Sequence, residues 1–73
     1  MARVEVLFFG RMADVTGVRQ MTRQAERLLE LRDAVFGEAV AGVKMSVNRQ
    51  QVSADMALNE GDEVAFFSVF SGG

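Results

Sequence analysis

The sequence predicts an α+β fold, a mixed sheet covered on one face by one helix. Three observations carry that prediction. Apolar residues recur with period two near both ends of the chain. One segment, 25–36, has helical spacing and neither Gly nor Pro. Turn residues such as Asn48-Arg49-Gln50 and Asn59-Glu60-Gly61-Asp62 divide the rest into short runs of strand character.

Taken in order, Arg3 to Phe9 reads as the first strand. Val4, Val6 and Phe8 fall on one face; Arg3, Glu5, Leu7 and Phe9 fall on the other, which turns apolar toward its end. Gly10 ends it, and Arg11 to Gly17 reads as a loop or short turn. Val18 to Arg23 alternates and pairs back as an antiparallel strand, giving a hairpin. Ala25 to Phe36 is rich in Leu, Ala, Glu and Arg. Its Leu28, Leu31 and Val35, with Ala34 beside them, form a stripe that faces the sheet, and Gly37 stops the helix. Val43 to Asn48 is a strand, and Gln51-Val52-Ser53 a short returning one. Glu63 to Phe70 is the last strand, with Val64 and Phe66 on one face and Ala65, Phe67 and Val69 on the other. The predicted order is β-β-α-β-(short β)-β.

The chain has 73 residues, enough for one domain spanning 1–73, without repeats or linkers. A domain of this size buries only about 60% of its unfolded surface, and a composition that is 49% hydrophobic, with six Phe and five Met, compensates. No interior cavity of useful size fits such a chain, so function is expected at the surface or at a terminus. There is no Cys and no His, which removes disulfides, thiolate nucleophiles and the commonest metal ligand and general base. Ser46, Ser53, Ser68 and Ser71 therefore have no imidazole to activate them. Asp62, Glu63 and Glu60 read as a solvated acidic turn, and Asp55 and Asp14 as isolated carboxylates. No catalytic constellation and no metal site is expected. Net charge is −2 and the basic residues are scattered, so no nucleic-acid footprint is visible. The start of the chain lacks a signal-peptide pattern, and the apolar run 6–9 is far too short to span a bilayer. The expectation is a soluble cytoplasmic protein.

The last residues are Ser71-Gly72-Gly73, directly after a strand. Taken alone they fit either an exposed terminus or a functional tail. Chemistry gives the second reading content. Without a side chain, a Gly-Gly main chain enters a narrow channel in another protein and adopts angles closed to other residues. Its carboxylate can be activated as an acyl-adenylate and attacked by a sulfur or amine nucleophile, with the partner supplying ATP, metal ion and catalytic groups.

The segment Gly61-Asp62-Glu63-Val64-Ala65-Phe66-Phe67, with Ser71-Gly72-Gly73 three residues later, resembles the ending of molybdopterin synthase small subunits. Val4-Glu5-Val6-Leu7-Phe8-Phe9-Gly10 resembles that family's opening strand, and Val47-Asn48 and Leu58 also fit. Two departures stand out. The family usually has prolines between the Phe pair and the tail, where this chain has Ser68-Val69-Phe70, and a basic residue where it has Ala13. The resemblance implies a β-grasp, ubiquitin-like fold and a sulfur carrier that is not an enzyme by itself. A ubiquitin-activator-like adenylating enzyme, which uses the ATP, would activate Gly73, and sulfur transfer would give a Gly73 thiocarboxylate. The tail, Gly72 included, would enter the large synthase subunit, which binds precursor Z and converts it to molybdopterin. This chain would bind no cofactor itself. Two copies of each subunit are implied.

Relatives with the same fold and terminal Gly-Gly serve thiamine or tRNA thiolation, and a ubiquitin-like modifier would instead join Gly73 to a target lysine. A binding module with an incidental Gly-Gly is a third class. For docking, a sheet covered by one helix has only one buried face, so the apolar residues of the other face meet a partner. Phe67, Val69 and Phe70 are assigned there, with Phe9 beside them and Ser71 leading into the tail.

Overall fold

The computed structural model describes residues 2–37 and 43–68. Seven elements follow one another: β1 (Ala2–Phe8), α1 (Arg11–Thr16), β2 (Gln20–Ala25), α2 (Leu28–Phe36), β3 (Val43–Val47), β4 (Gln50–Val52) and β5 (Glu63–Ser68). The strands form one sheet in the order β2-β1-β5-β3-β4. β1 runs parallel to β5, and every other pairing is antiparallel. The first and last strands are thus central neighbours, with a hairpin on either side. This is the β-grasp arrangement expected from the sequence.

Alternation decides what each strand buries. Val4, Val6 and Phe8 of β1 and Val64 and Phe66 of β5 are each at most 2% exposed. Met45 and Val47 of β3 extend the same face, since Met45 stands opposite Phe66 and Val47 opposite Val64. α2 lays Leu28 and Leu31 onto this layer. The expected stripe shifts toward its C-terminal end: Val35 is half-buried and Ala34 exposed, while Phe36 is buried. Phe36 wins because a cluster of rings waits for it. Phe8 and Phe66 stack with centroids 6.0 Å apart. Phe36 meets both edge-on, at 5.8 and 5.1 Å with interplanar angles of 88°, the geometry aromatic quadrupoles favour.

β2 lies two residues later than the expected 18–23, and β4 one residue earlier than the expected 51–53; two larger differences concern the helices. The segment 11–17 is not a loop: Arg11–Thr16 is a helix, so two helices, not one, accompany the sheet. α1 packs against β1 and β5 and buries Met12. At six residues it has no stability of its own, and tertiary packing of Met12 decides its conformation. The Thr16 hydroxyl also donates back to the Met12 carbonyl at 3.1 Å.

α2 starts at Leu28 rather than Ala25, which instead closes β2 opposite Ala2. Arg27 is in extended backbone, and both it and Glu26 are held by the segment before the last turn. Arg27 bridges antiparallel to Ala57, and the Leu58 amide donates to the Glu26 carbonyl at 2.8 Å. The helix ends at Gly37, as expected, with φ 62°, a value glycine adopts without a Cβ penalty. Last, β3 and β4 join through Asn48 and Arg49, whose φ values of 52° and 71° mark the two-residue turn that matches strand twist. Among the described residues, no helix is long and apolar enough to cross a membrane.

Candidate functional site: the open sheet face

Both helices rest on one face of the sheet, and among the described residues no element covers the other, which we term the open face. Leu7 of β1 stands opposite Ala65 of β5, which stands opposite Ser46 of β3; one step along, Phe67 of β5 stands opposite Lys44. Ala65 is only 7% exposed, yet it belongs to this face and not to the main core cluster. Leu7 and Phe67 are half-buried. Phe9, one step past β1, is 53% exposed, and its amide donates to the Phe66 carbonyl at 3.1 Å. The structure therefore separates the Phe66-Phe67 pair into an inner and an outer ring, and brings Phe67 and Phe9 together where β5 and β1 end. Val69, Phe70, Ser71, Gly72 and Gly73 lie outside the described residues.

A groove adjoins this face where β1 ends, lined by Leu7, Phe9, Ala13, Asp14 and Arg19. Toward the opposite end the face becomes polar. Glu5 accepts from the Gln20 amide at 2.9 Å and the Thr22 hydroxyl at 3.2 Å, and Glu63 lies 3.8 Å from the Arg49 guanidinium. The acidic turn is structural. The Asp62 carboxylate accepts from the Asn48 side-chain amide at 2.9 Å and from the Asn59 backbone amide at 2.8 Å. The Glu60 carboxylate accepts from the Arg3 amide at 2.9 Å.

Asp55 is not isolated. Its carboxylate accepts from the Arg27 guanidinium at 2.8 Å, the Leu29 amide at 2.9 Å and the Met56 amide at 3.0 Å. The hydrogen bond from Arg27, then that from the Leu29 amide, holds the Asp55 carboxyl below the usual carboxylate range. The same bond raises the Arg27 guanidinium above its ordinary value. Asp55 thus caps α2, and no spacing in the sequence links it to residue 29.

The ThiS family matches residues 6–73, nearly the whole chain. No curated protein matches. Among solved structures, a Pyrococcus furiosus protein described as a molybdopterin converting factor, subunit 1, is similar, at 26% identity and a TM-score of 0.83, over 96% of this chain and 100% of that one. SAMP1 of Haloferax volcanii shares the fold at 22% identity and a TM-score of 0.81, covering 99% of this chain and 100% of its own. Small archaeal modifier protein 1 of Methanosarcina acetivorans shares it at 16% identity and 0.76, over 100% and 98%. With its mixed β-grasp sheet, its open face and a family match that runs through to Gly73, the chain belongs to the ThiS family of ubiquitin-like sulfur carriers.

Proposed function

We propose that this chain is the sulfur-carrying small subunit of a molybdopterin synthase, with Gly73 as the reacting residue and Gly72 as its slender approach. The observation that carries the reading is the similarity to the Pyrococcus furiosus converting-factor subunit over almost the full length of both chains. The Gly73 carboxylate attacks the α-phosphorus of ATP on an adenylating enzyme, and pyrophosphate leaves. A sulfur nucleophile at the oxidation level of hydrosulfide then displaces AMP, so that a C–O bond breaks and a C–S bond forms. The resulting thiocarboxylate enters the large subunit and gives its sulfur to precursor Z. ATP and pterin are bound by the partners; this chain is a co-substrate that is recharged after each turnover.

The open face supports this reading, because an apolar surface at the end of β5, the strand that precedes the tail in sequence, is covered each time the tail is inserted. Phe67, Phe9, Val69 and Phe70 are the proposed contacts, followed by Ser71. Apolar patches of this kind mark interfaces, and buried aromatics dominate their energetics. The assembly is a heterotetramer with two copies of each subunit. The fold shared with the archaeal modifier proteins favours one second reading, conjugation of Gly73 to lysines. Mass spectrometry of protein recovered from its host separates the two. A species heavier by one oxygen-to-sulfur exchange at Gly73 is expected. Abundant Gly-Gly remnants on unrelated proteins, with no thiocarboxylate form, would overturn the carrier reading.

A further inference from the structure

The apolar part of the open face carries a charge that its surroundings do not answer. Lys44 is the single lysine of the chain. It is exposed on β3 and stands directly opposite Phe67. The carboxylates of the same face are already engaged: Glu5 by Gln20 and Thr22, and Glu63 with Arg49 nearby. Lys44 itself has no ion-pair or hydrogen-bond partner among the described residues. The chain as a whole is acidic, with a net charge of −2, so the apolar part of this face holds a cation against the overall sign. Arg3 shares the face but lies beyond Glu5, at the polar end.

We propose that Lys44 is the charge anchor of the docking surface, and that the partner meets it with a carboxylate set among apolar side chains. The proposal rests on the reading that the open face docks the acceptor enzyme. Covering Phe67 also strips water from the ammonium across from it. An ammonium buried without a partner is costly, so a purely apolar or basic partner surface is penalised. A carboxylate offsets the desolvation and fixes the lateral register of one surface on the other, since a wrong register leaves two charges unpaired. Apolar area around Phe67 then provides attraction, and Lys44 provides selection among partners.

The test is titration calorimetry of the full chain against the molybdopterin synthase large subunit of the same organism, at low and at physiological salt. Lys44→Gln, Lys44→Glu, Lys44→Arg and Phe67→Ala are compared with the unmodified chain. Melting temperatures should stay close together for the three Lys44 variants, because the side chain is exposed. Lys44→Arg should bind as the unmodified chain does. Lys44→Gln should bind about tenfold more weakly, with a flatter salt dependence. Lys44→Glu should bind more weakly still, and reversing one acidic residue of the large subunit to Lys should restore it. If Lys44→Glu binds as tightly as the unmodified chain, or more tightly, while Phe67→Ala loses affinity, the anchor is wrong and the docking reading stands. If neither substitution changes affinity, or no complex forms with the unmodified chain, both are overturned.

Discussion

Asp55 caps α2 from 26 residues away, accepting the Leu29 backbone amide at 2.9 Å. The residue at the helix's own N-cap position is Arg27, which has no acceptor to offer. Asp55 takes over that task and gains the Arg27 guanidinium with it. Removing the carboxylate should therefore lower the melting temperature more than an exposed position ordinarily would. Asp55→Ala should lower it by several degrees, and Asp55→Asn by less, because the amide oxygen still accepts one bond.

The same contact predicts a pH response. The folded-state pKa of Asp55 lies below that of the unfolded chain, so its contribution is fully present above the unfolded carboxylate value. It is lost as the pH falls through the lowered folded value. Thermal unfolding followed at decreasing pH should show a steeper acid loss for the unmodified chain than for Asp55→Asn. Parallel curves would mean that the contact does not contribute.

Two neighbouring turn residues should respond in opposite directions. Arg49 sits at φ 71° with an almost fully exposed side chain, and its ion pair at 3.8 Å from Glu63 is worth little. Arg49→Gly should stabilise by about 0.5–1 kcal/mol, the left-handed penalty relieved less the backbone entropy of glycine. Asn48 shares the positive φ but bonds both Asp62 and the Glu63 amide. Asn48→Ala should destabilise by roughly 1–3 kcal/mol. Urea unfolding of both variants checks the contrast.

The adjacent rings of β5 should separate folding from docking. Phe66 is fully buried between Phe8 and Phe36, so Phe66→Ala should cost about 3–5 kcal/mol, a large share of the stability of a small domain. Phe67 is half-buried on the open face, and Phe67→Ala should cost far less stability while weakening binding to the large subunit. A large stability loss with unchanged affinity would reverse the assignment of the two rings.

The tail prediction is chemical. Deleting Gly73, or adding one residue after it, should abolish adenylation-dependent sulfur loading, read as thiocarboxylate by mass spectrometry, with the melting temperature unchanged. Thiocarboxylate formed on an extended, unprocessed chain would refute the mechanism.

Strand faces were legible in the sequence because one property decides them. Val4, Val6 and Phe8, like Val64 and Phe66, alternate with residues of a different environment, and burial follows that period. α1 was not legible. Its six residues carry one buried side chain, Met12, too few for a helical period to register, and packing against β1 and β5 supplies the rest. The start of α2 was obscured for a related reason. Ala25, Glu26 and Arg27 are good helix formers, but pairing with Ala2 claims Ala25, and backbone pairing with residues 57 and 58 claims Glu26 and Arg27. The Asp55 cap joins residues distant in the chain, so no local pattern announces it. At the open face, alternation named the outer residues of each strand, Leu7 and Phe9 on one and Phe67 on another, whereas only the register shows that Lys44 stands opposite Phe67.

The parallel pairing of β1 with β5 joins Glu5 to Glu63 and Phe8 to Phe66, nearly the full span of the chain. Without β5 the sheet falls into two hairpins, β1–β2 and β3–β4, each marginal in water. Collapse into the native topology therefore waits for the latest contacts in sequence, a high-contact-order route. A ribosomal product truncated before β5 therefore lacks Val64 and Phe66 and is left with two hairpins that share no core, so the last strand to leave the ribosome decides whether the chain folds at all.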